Sequence, residues 1–156
     1  MVSRREFLGL MAGGVAAGLL NPAWVGAATF PQFFFAQLKY RGGGWDPNPQ
    51  FVEAIIEELE LRTSIDAIKE RRITTLSDPD LFYYPLLYMA GKYEFEPLTH
   101  QEREILRRFL SYGGFLFAED AMGAKGFGFD RAFREEMRRV FPDHELKRLP
   151  PYHSVY

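Results

Sequence analysis

The clearest indication of the fold comes from residues 85–120, which are PLLYMAGKYEFEPLTHQEREILRRFLSYGGFLFAED. The apolar run Pro85–Met89 predicts a buried strand. Thr99 and Glu102 then have the spacing of a capping box, in which each side chain satisfies a free amide of the first helical turn. A glycine pair ends this helix, and Phe115–Ala118 predicts a second buried strand. Two short, fully apolar strands joined by a helix are typical of a parallel sheet.

The same alternation continues on both sides of this unit. Phe33–Tyr40 predicts a first strand, and Asn48 is placed to cap a helix with apolar residues at helical spacing. Ile73–Leu76 predicts a short strand, and Asp130 is placed to cap a last helix. The predicted order is strand, helix, strand, strand, helix, strand, helix. This order indicates an α/β domain with a mostly parallel sheet and helices on both faces.

The N-terminus has the pattern of an export signal. Arg4-Arg5 precede an uncharged, glycine- and alanine-rich stretch from Leu8 to Leu20, which is shorter than the about 20 residues that span a bilayer. Paired arginines before such a stretch resemble a twin-arginine signal. We therefore predict residues 1–28 as the signal and 29–156 as one α/β domain, exported to the periplasm or another extracytoplasmic compartment with no membrane span after cleavage. An ordinary secretory signal and a retained anchor are the alternatives.

The composition of the chain excludes several classes of functional site and partner. The chain has 156 residues, a net charge of −2 and no cysteine, which excludes disulfides, thiolate metal sites and cysteine nucleophiles. Without a basic surplus, nucleic acid is not a predicted partner. The chain has no Gly-x-Ser-x-Gly elbow and no histidine pair with metal-ligand spacing, so no cofactor and no metal site is predicted. The charged residues of the last helix are typical of a solvated face, and the alternative is that its arginines bind an acidic partner. These residues are Arg131, Arg134, Glu135, Glu136, Arg138 and Arg139.

The candidate site follows from topology, because open parallel sheets bind ligands at the carboxyl ends of their strands. Glycine amides can cradle an anion, a tryptophan can stack on a sugar or base, and paired carboxylates can exchange protons or hold a hard cation. The alternatives are a tight turn with positive φ, an aromatic cover for the sheet end, and turn or cap roles for the carboxylates. No catalytic residue is assigned. The predicted ligand-binding residues are Gly42, Gly43, Gly44, Trp45, Asp46, Asp80, Glu119 and Asp120.

Several blocks of the sequence resemble one family when they are taken in order. They are Phe35–Tyr40 with Gly42–Pro47, Asp78–Phe82 with Tyr84-Pro85 and Leu87–Met89, Gly113–Phe117 with Glu119-Asp120, and Phe129–Arg131 with Phe133-Arg134 and Met137. Over about residues 33–150 the chain is similar to the domain-of-unknown-function family 4159. The resemblance implies a flavodoxin-like three-layer α/β sandwich, similar to the class I glutamine amidotransferase superfamily. The Cys-His-Glu triad of those enzymes has no counterpart in a chain without cysteine.

The resemblance also implies a longer domain than this chain provides. Glu145–Tyr156 predicts the start of a further strand, and we expect an incomplete or short version of the fold with poor order beyond Pro150 and an unpaired sheet edge.

The family has no established activity, so the residues must suggest one. We predict an exported, non-catalytic module of the bacterial cell envelope that binds a small molecule or an envelope protein. The alternative is a carboxylate- or metal-dependent hydrolase acting on a carbohydrate or another envelope substrate. Carboxylates within about 5 Å of each other would favour the hydrolase, and carboxylates with separate partners would favour the binding module.

Overall fold

The predicted alternation of strands and helices is confirmed. The computed structural model describes residues 33–155, so the predicted signal lies outside the described residues. The elements are β1 (Ala36–Leu38), α1 (Phe51–Arg62), β2 (Arg72–Thr74), a 3-10 turn (Leu81–Tyr83), β3 (Leu86–Gly91), α2 (His100–Ser111), β4 (Phe115–Asp120) and α3 (Gly128–Val140).

The four strands form one parallel sheet in the order β2-β1-β3-β4. Gln37 of β1 lies at the centre, with Ile73 of β2 on one side and Tyr88 of β3 on the other. Tyr88 in turn lies beside Phe117 of β4. Since this order matches the first four strands of the flavodoxin-like arrangement, the predicted fold class is confirmed.

Helices cover both faces of the sheet, as predicted. On one face, Val52 and Ile56 of α1 are buried against Phe35, Tyr88 and Ala90. On the opposite face, the buried residues of α2 and α3 share a second cluster with strands β1 and β3, and they include Leu38, Leu87, Met89, Leu106, Phe109, Met137 and Val140. The sheet is therefore the middle of three layers.

The predicted boundaries of α2 are confirmed. The Oγ1 atom of Thr99 accepts from the Glu102 amide at 3.2 Å, and the Glu102 carboxylate accepts from the Thr99 amide at 2.7 Å. Gly113 follows the helix with a φ of +94°, a left-handed conformation that favours glycine.

The predicted caps of the other two helices are wrong. Asn48 does not cap α1, because its carbonyl accepts from the Phe51 amide at 3.1 Å and closes a turn before the helix begins. The N-cap residue is Gln50, which makes no side-chain cap. Asp130 lies inside the first turn of α3 rather than before it, and its carboxylate reaches back to the Gly126 amide at 2.6 Å.

The chain after α3 differs from the prediction as well. Residues 141–155 contain no strand, and Leu146 and Leu149 are exposed. Within residues 33–155, β4 therefore pairs only with β3 and its other edge stays unpaired. None of the helices in this part of the chain is long and apolar enough to cross a membrane.

Candidate functional site

A buried amide in the central strand organises the loop after β1. The side chain of Gln37 is 1% exposed, and its Nε2 donates to the carbonyl of Trp45 at 2.9 Å. Its Oε1 accepts from Arg71 at 2.9 Å. Arg71 also binds both carboxylate oxygens of Asp46, at 2.6 and 3.1 Å. This bidentate pair neutralises the first predicted carboxylate of the site.

A second carboxylate is held by a tyrosine. Tyr88 of β3 is buried, and its hydroxyl donates to the Glu119 carboxylate of β4. Burial raises the pKa of Tyr88 well above its ordinary value, and its hydrogen bond to Glu119 and the charges of Glu119 and Asp46 raise it further. The phenol therefore stays protonated and remains a donor at neutral pH. Of the predicted residues, Glu119 therefore contacts Tyr88 directly, whereas Asp46 affects its pKa only through its charge.

Beside this tyrosine lies an exposed aromatic surface, which we call the β4 shelf. It consists of Phe115, Phe117 and Glu119, alternate residues that share one face of β4. Phe115 is 56% exposed and Phe117 is 42% exposed, because the cluster beneath α1 contains no residue of β4. Phe117 stacks on Tyr88 with ring centroids 5.8 Å apart. The shelf is therefore a flat apolar surface with a carboxylate at its end.

Asp120 lies on the opposite face of β4, because neighbouring residues in a strand alternate. It lines a groove of about 670 Å³ with Lys125 and Arg134. Its Oδ1 accepts from the Met122 amide at 3.1 Å. The structure thus assigns the adjacent carboxylates Glu119 and Asp120 to two different surfaces.

The glycines of the loop have a structural explanation. Gly42, Gly43 and Gly44 have φ values of +74°, +65° and +63°. The Gly43 carbonyl accepts from the amides of Lys92 and Tyr93, both at 2.9 Å, which ties the loop to the segment after β3. These contacts favour the tight-turn alternative over the anion cradle for this loop.

Trp45 covers part of the core rather than standing free. It is partly buried against the cluster that contains α2 and α3, and the Lys39 ammonium lies 5.5 Å from the centroid of its ring. This placement favours the alternative of an aromatic cover for the end of the sheet.

Asp80 lies away from the other predicted residues. It lines a groove with Phe34 and Arg72, which stand at the amino ends of β1 and β2. The chain returns to that edge between β2 and β3, and Asp80 closes the turn through its amide, which donates to Asp78 at 2.9 Å. The placement of Asp80 beside the loop 42–46 is therefore wrong.

Three residues of the site were not predicted: Gln37, Arg71 and Tyr88. Gln37 had a local signal, because it is the one polar residue in the run 33–38. Arg71 and Tyr88 had none, since an arginine in a loop and a tyrosine in a buried strand are common. Within residues 33–155, no three carboxylate or histidine side chains lie close enough together to hold a metal ion.

The family model described as "Domain of unknown function (DUF4159)" matches residues 34–156. The search of curated proteins found no match.

Proposed function

The chain belongs to the DUF4159 family, whose description names no activity, and from the geometry we propose a non-catalytic binding module of the bacterial cell envelope. The β4 shelf is its binding surface, and the ligand is a carbohydrate. The observation that carries this proposal is the pair of exposed phenylalanines that ends at a carboxylate.

Each part of the shelf suits one part of a sugar. The C–H face of a pyranose ring is flat and apolar, and it packs on aromatic rings. Sugar hydroxyls donate hydrogen bonds, and the second oxygen or remaining lone pairs of the Glu119 carboxylate can accept them. The hydrogen bond from Tyr88 fixes this carboxylate in position before any ligand arrives. A preorganised acceptor loses less entropy when it binds.

The partners of the carboxylates support binding over hydrolysis. Asp46 is paired with Arg71, and Glu119 accepts from Tyr88, so each carboxylate has a separate partner. A glycoside hydrolase needs one carboxylic acid that gives up a proton and a second carboxylate across the scissile bond. The only predicted carboxylate next to Glu119 in sequence, Asp120, lies on the other face of the strand.

The test is a calorimetric titration of the purified protein with soluble N-acetylglucosamine oligomers. We expect Phe117→Ala to weaken binding about tenfold, because it removes a stacking contact of roughly 1–1.5 kcal/mol. Phe82→Ala is the matched control, since Phe82 is 48% exposed but packs on Phe109 of α2, on the face of the sheet opposite to the shelf. Equal affinity of Phe117→Ala and wild type, or an equal loss in the control, would refute the shelf as the site.

Export is the second part of the proposal. It is supported by Arg4-Arg5 and the uncharged stretch that follows them. A twin-arginine route requires the arginine pair, so Arg4→Lys with Arg5→Lys should leave the precursor in the cytoplasm. Cell fractionation measures this, and Arg62→Lys with Arg138→Lys is the control for the substitution itself. Continued export of the Arg4→Lys, Arg5→Lys variant would contradict the twin-arginine route.

A further inference from the structure

The groove on the opposite face of β4 is independent of the shelf. It lies between Ala118 and Asp120 of β4, the first turns of α3, and the segment 146–148 that follows α3. Its volume of about 670 Å³ falls within the range of about 300–1,000 Å³ that small-molecule sites occupy.

Cationic side chains dominate the polar lining of this groove. They are Lys125, Arg134, Lys147 and Arg148. Within residues 33–155, the side chains of Lys147 and Arg148 take part in no ion pair or hydrogen bond. Two cations that line one groove and lack partners among the described residues are available to an anionic ligand.

The two carboxylates in the groove do not cancel this charge. Asp130 already accepts from the Gly126 amide and from the Nε of Arg134 at 2.8 Å, and the charge of Lys125 acts on it as well. Asp120 accepts from the Met122 amide at 3.1 Å. Four cations against two anions leave the lining with a surplus of two positive charges.

The groove also has an apolar wall. Phe129 and Phe133 of α3 stack with centroids 5.8 Å apart, and Leu146, which is 52% exposed, also lines the groove. A ligand that matches both features carries at least two negative charges and an apolar or planar part. We infer that the groove binds a small organic phosphate, with its phosphoryl groups at Lys147 and Arg148 and its planar part against Phe133.

Arginine and lysine suit this ligand because phosphoryl oxygens accept short, charge-assisted hydrogen bonds from both. The probes are therefore ADP, inorganic pyrophosphate and adenosine, titrated into the purified protein at low salt. ADP carries both parts of the ligand, pyrophosphate only the charge, and adenosine only the planar part. We expect ADP to bind most tightly and adenosine least.

The deciding variant is Lys147→Ala with Arg148→Ala, which should weaken ADP and pyrophosphate binding by about tenfold or more. Arg62→Ala with Lys69→Ala is the matched control, because it removes the same two residue types from exposed positions at and beyond the end of α1. The control should change affinity by less than about twofold, the effect expected of distant screened charges.

The Asp120→Asn variant tests whether negative charge in the groove weakens the binding of an anionic ligand. The amide oxygen can still accept from Met122, while one negative charge leaves the groove. We expect tighter binding of ADP and pyrophosphate with little change in the thermal midpoint of the free protein. The inference is overturned if the Lys147→Ala, Arg148→Ala variant binds ADP as wild type does, if adenosine binds as tightly as ADP, or if Asp120→Asn weakens binding.

Discussion

The three glycines in the loop between β1 and α1, Gly42, Gly43 and Gly44, are needed for different physical reasons. All three glycines need a positive φ, but only Gly43 also lacks space for a side chain. A Cβ atom there would lie 2.8 Å from the Cβ of Phe95 and 2.8 Å from the ring of Tyr40. At Gly44 the nearest atom, on the Tyr93 ring, would lie at 3.6 Å, which is ordinary contact. Backbone strain and overpacking can therefore be separated in this loop.

Gly43→Ala should destabilise the protein more than Gly44→Ala. A left-handed alanine costs about 1–2 kcal/mol at either position, and overpacking adds roughly 1–3 kcal/mol at Gly43. Urea denaturation of the two variants measures the difference directly, because their φ values differ by only 2° (+65° against +63°). Equal losses of unfolding free energy would mean that Tyr40 and Phe95 move aside without cost.

Among the helices, α3 carries a buried carboxylate where the sequence pattern favours a solvated face. Glu136 is 2% exposed and binds Arg103 of α2 at 2.9 Å, and it also pairs with Arg139. Its neighbour Glu135 is half-exposed and lies 4.0 Å from Arg139. The prediction is wrong for Glu136, because helical spacing cannot tell which side of a charged helix meets another helix. The pair with Arg103 fixes α2 against α3.

Glu136→Ala should lower the free energy of unfolding by about 3 kcal/mol, because it leaves Arg103 partly buried without a counter-charge. Glu135→Ala, one residue away, should cost less than about 0.5 kcal/mol, as surface ion pairs do. Chemical denaturation of both variants checks the comparison. Similar small losses in both would show that the α2–α3 contact depends on apolar packing alone.

For the molecule as a unit, the main feature is the edge of β4 that no other strand of residues 33–155 pairs with. The amide of Phe115 donates to Pro85 at 3.0 Å and that of Ala121 donates to Gly91 at 2.9 Å. Since amides in a strand alternate in direction, those of Phe117 and Glu119 also face β3. Those of Leu116 and Ala118 face away from it. An edge with free donors is a surface on which another chain can pair, and the two phenylalanines of the shelf stand beside it.

The rates of amide hydrogen exchange along β4 should show which amides lie on the unpaired edge. We expect the amides of Leu116 and Ala118 to exchange at least about tenfold faster than those of Phe117 and Glu119, because the latter are bonded within the sheet. The amide of Gln37, in the central strand, provides the protected reference. NMR at low protein concentration measures all five residues. Equal protection along β4 would mean that a further strand, from the same chain or a second copy, covers this edge.

Local sequence patterns account for the order of the elements, their parallel arrangement and the start and end of α2. These features depend on causes within a few residues: runs of apolar side chains, a capping box and a glycine with positive φ after the helix. The alternation of side chains along a strand likewise suffices to put Glu119 and Asp120 on opposite faces of β4. The predicted caps at Asn48 and Asp130 are wrong, since a turn of two or three residues sets where a helix begins.

The composition of the site, by contrast, depends on contacts between distant parts of the chain. Gln37, Arg71 and Tyr88 lie up to 51 positions apart in sequence, and the pairing of β1 with β3 and the course of the chain before β2 bring them together. Asp80 is absent from the site for the same reason, because the direction of a loop between strands carries no periodic signal. Local patterns set which elements form, whereas hydrogen bonds between distant residues set which side chains share a surface.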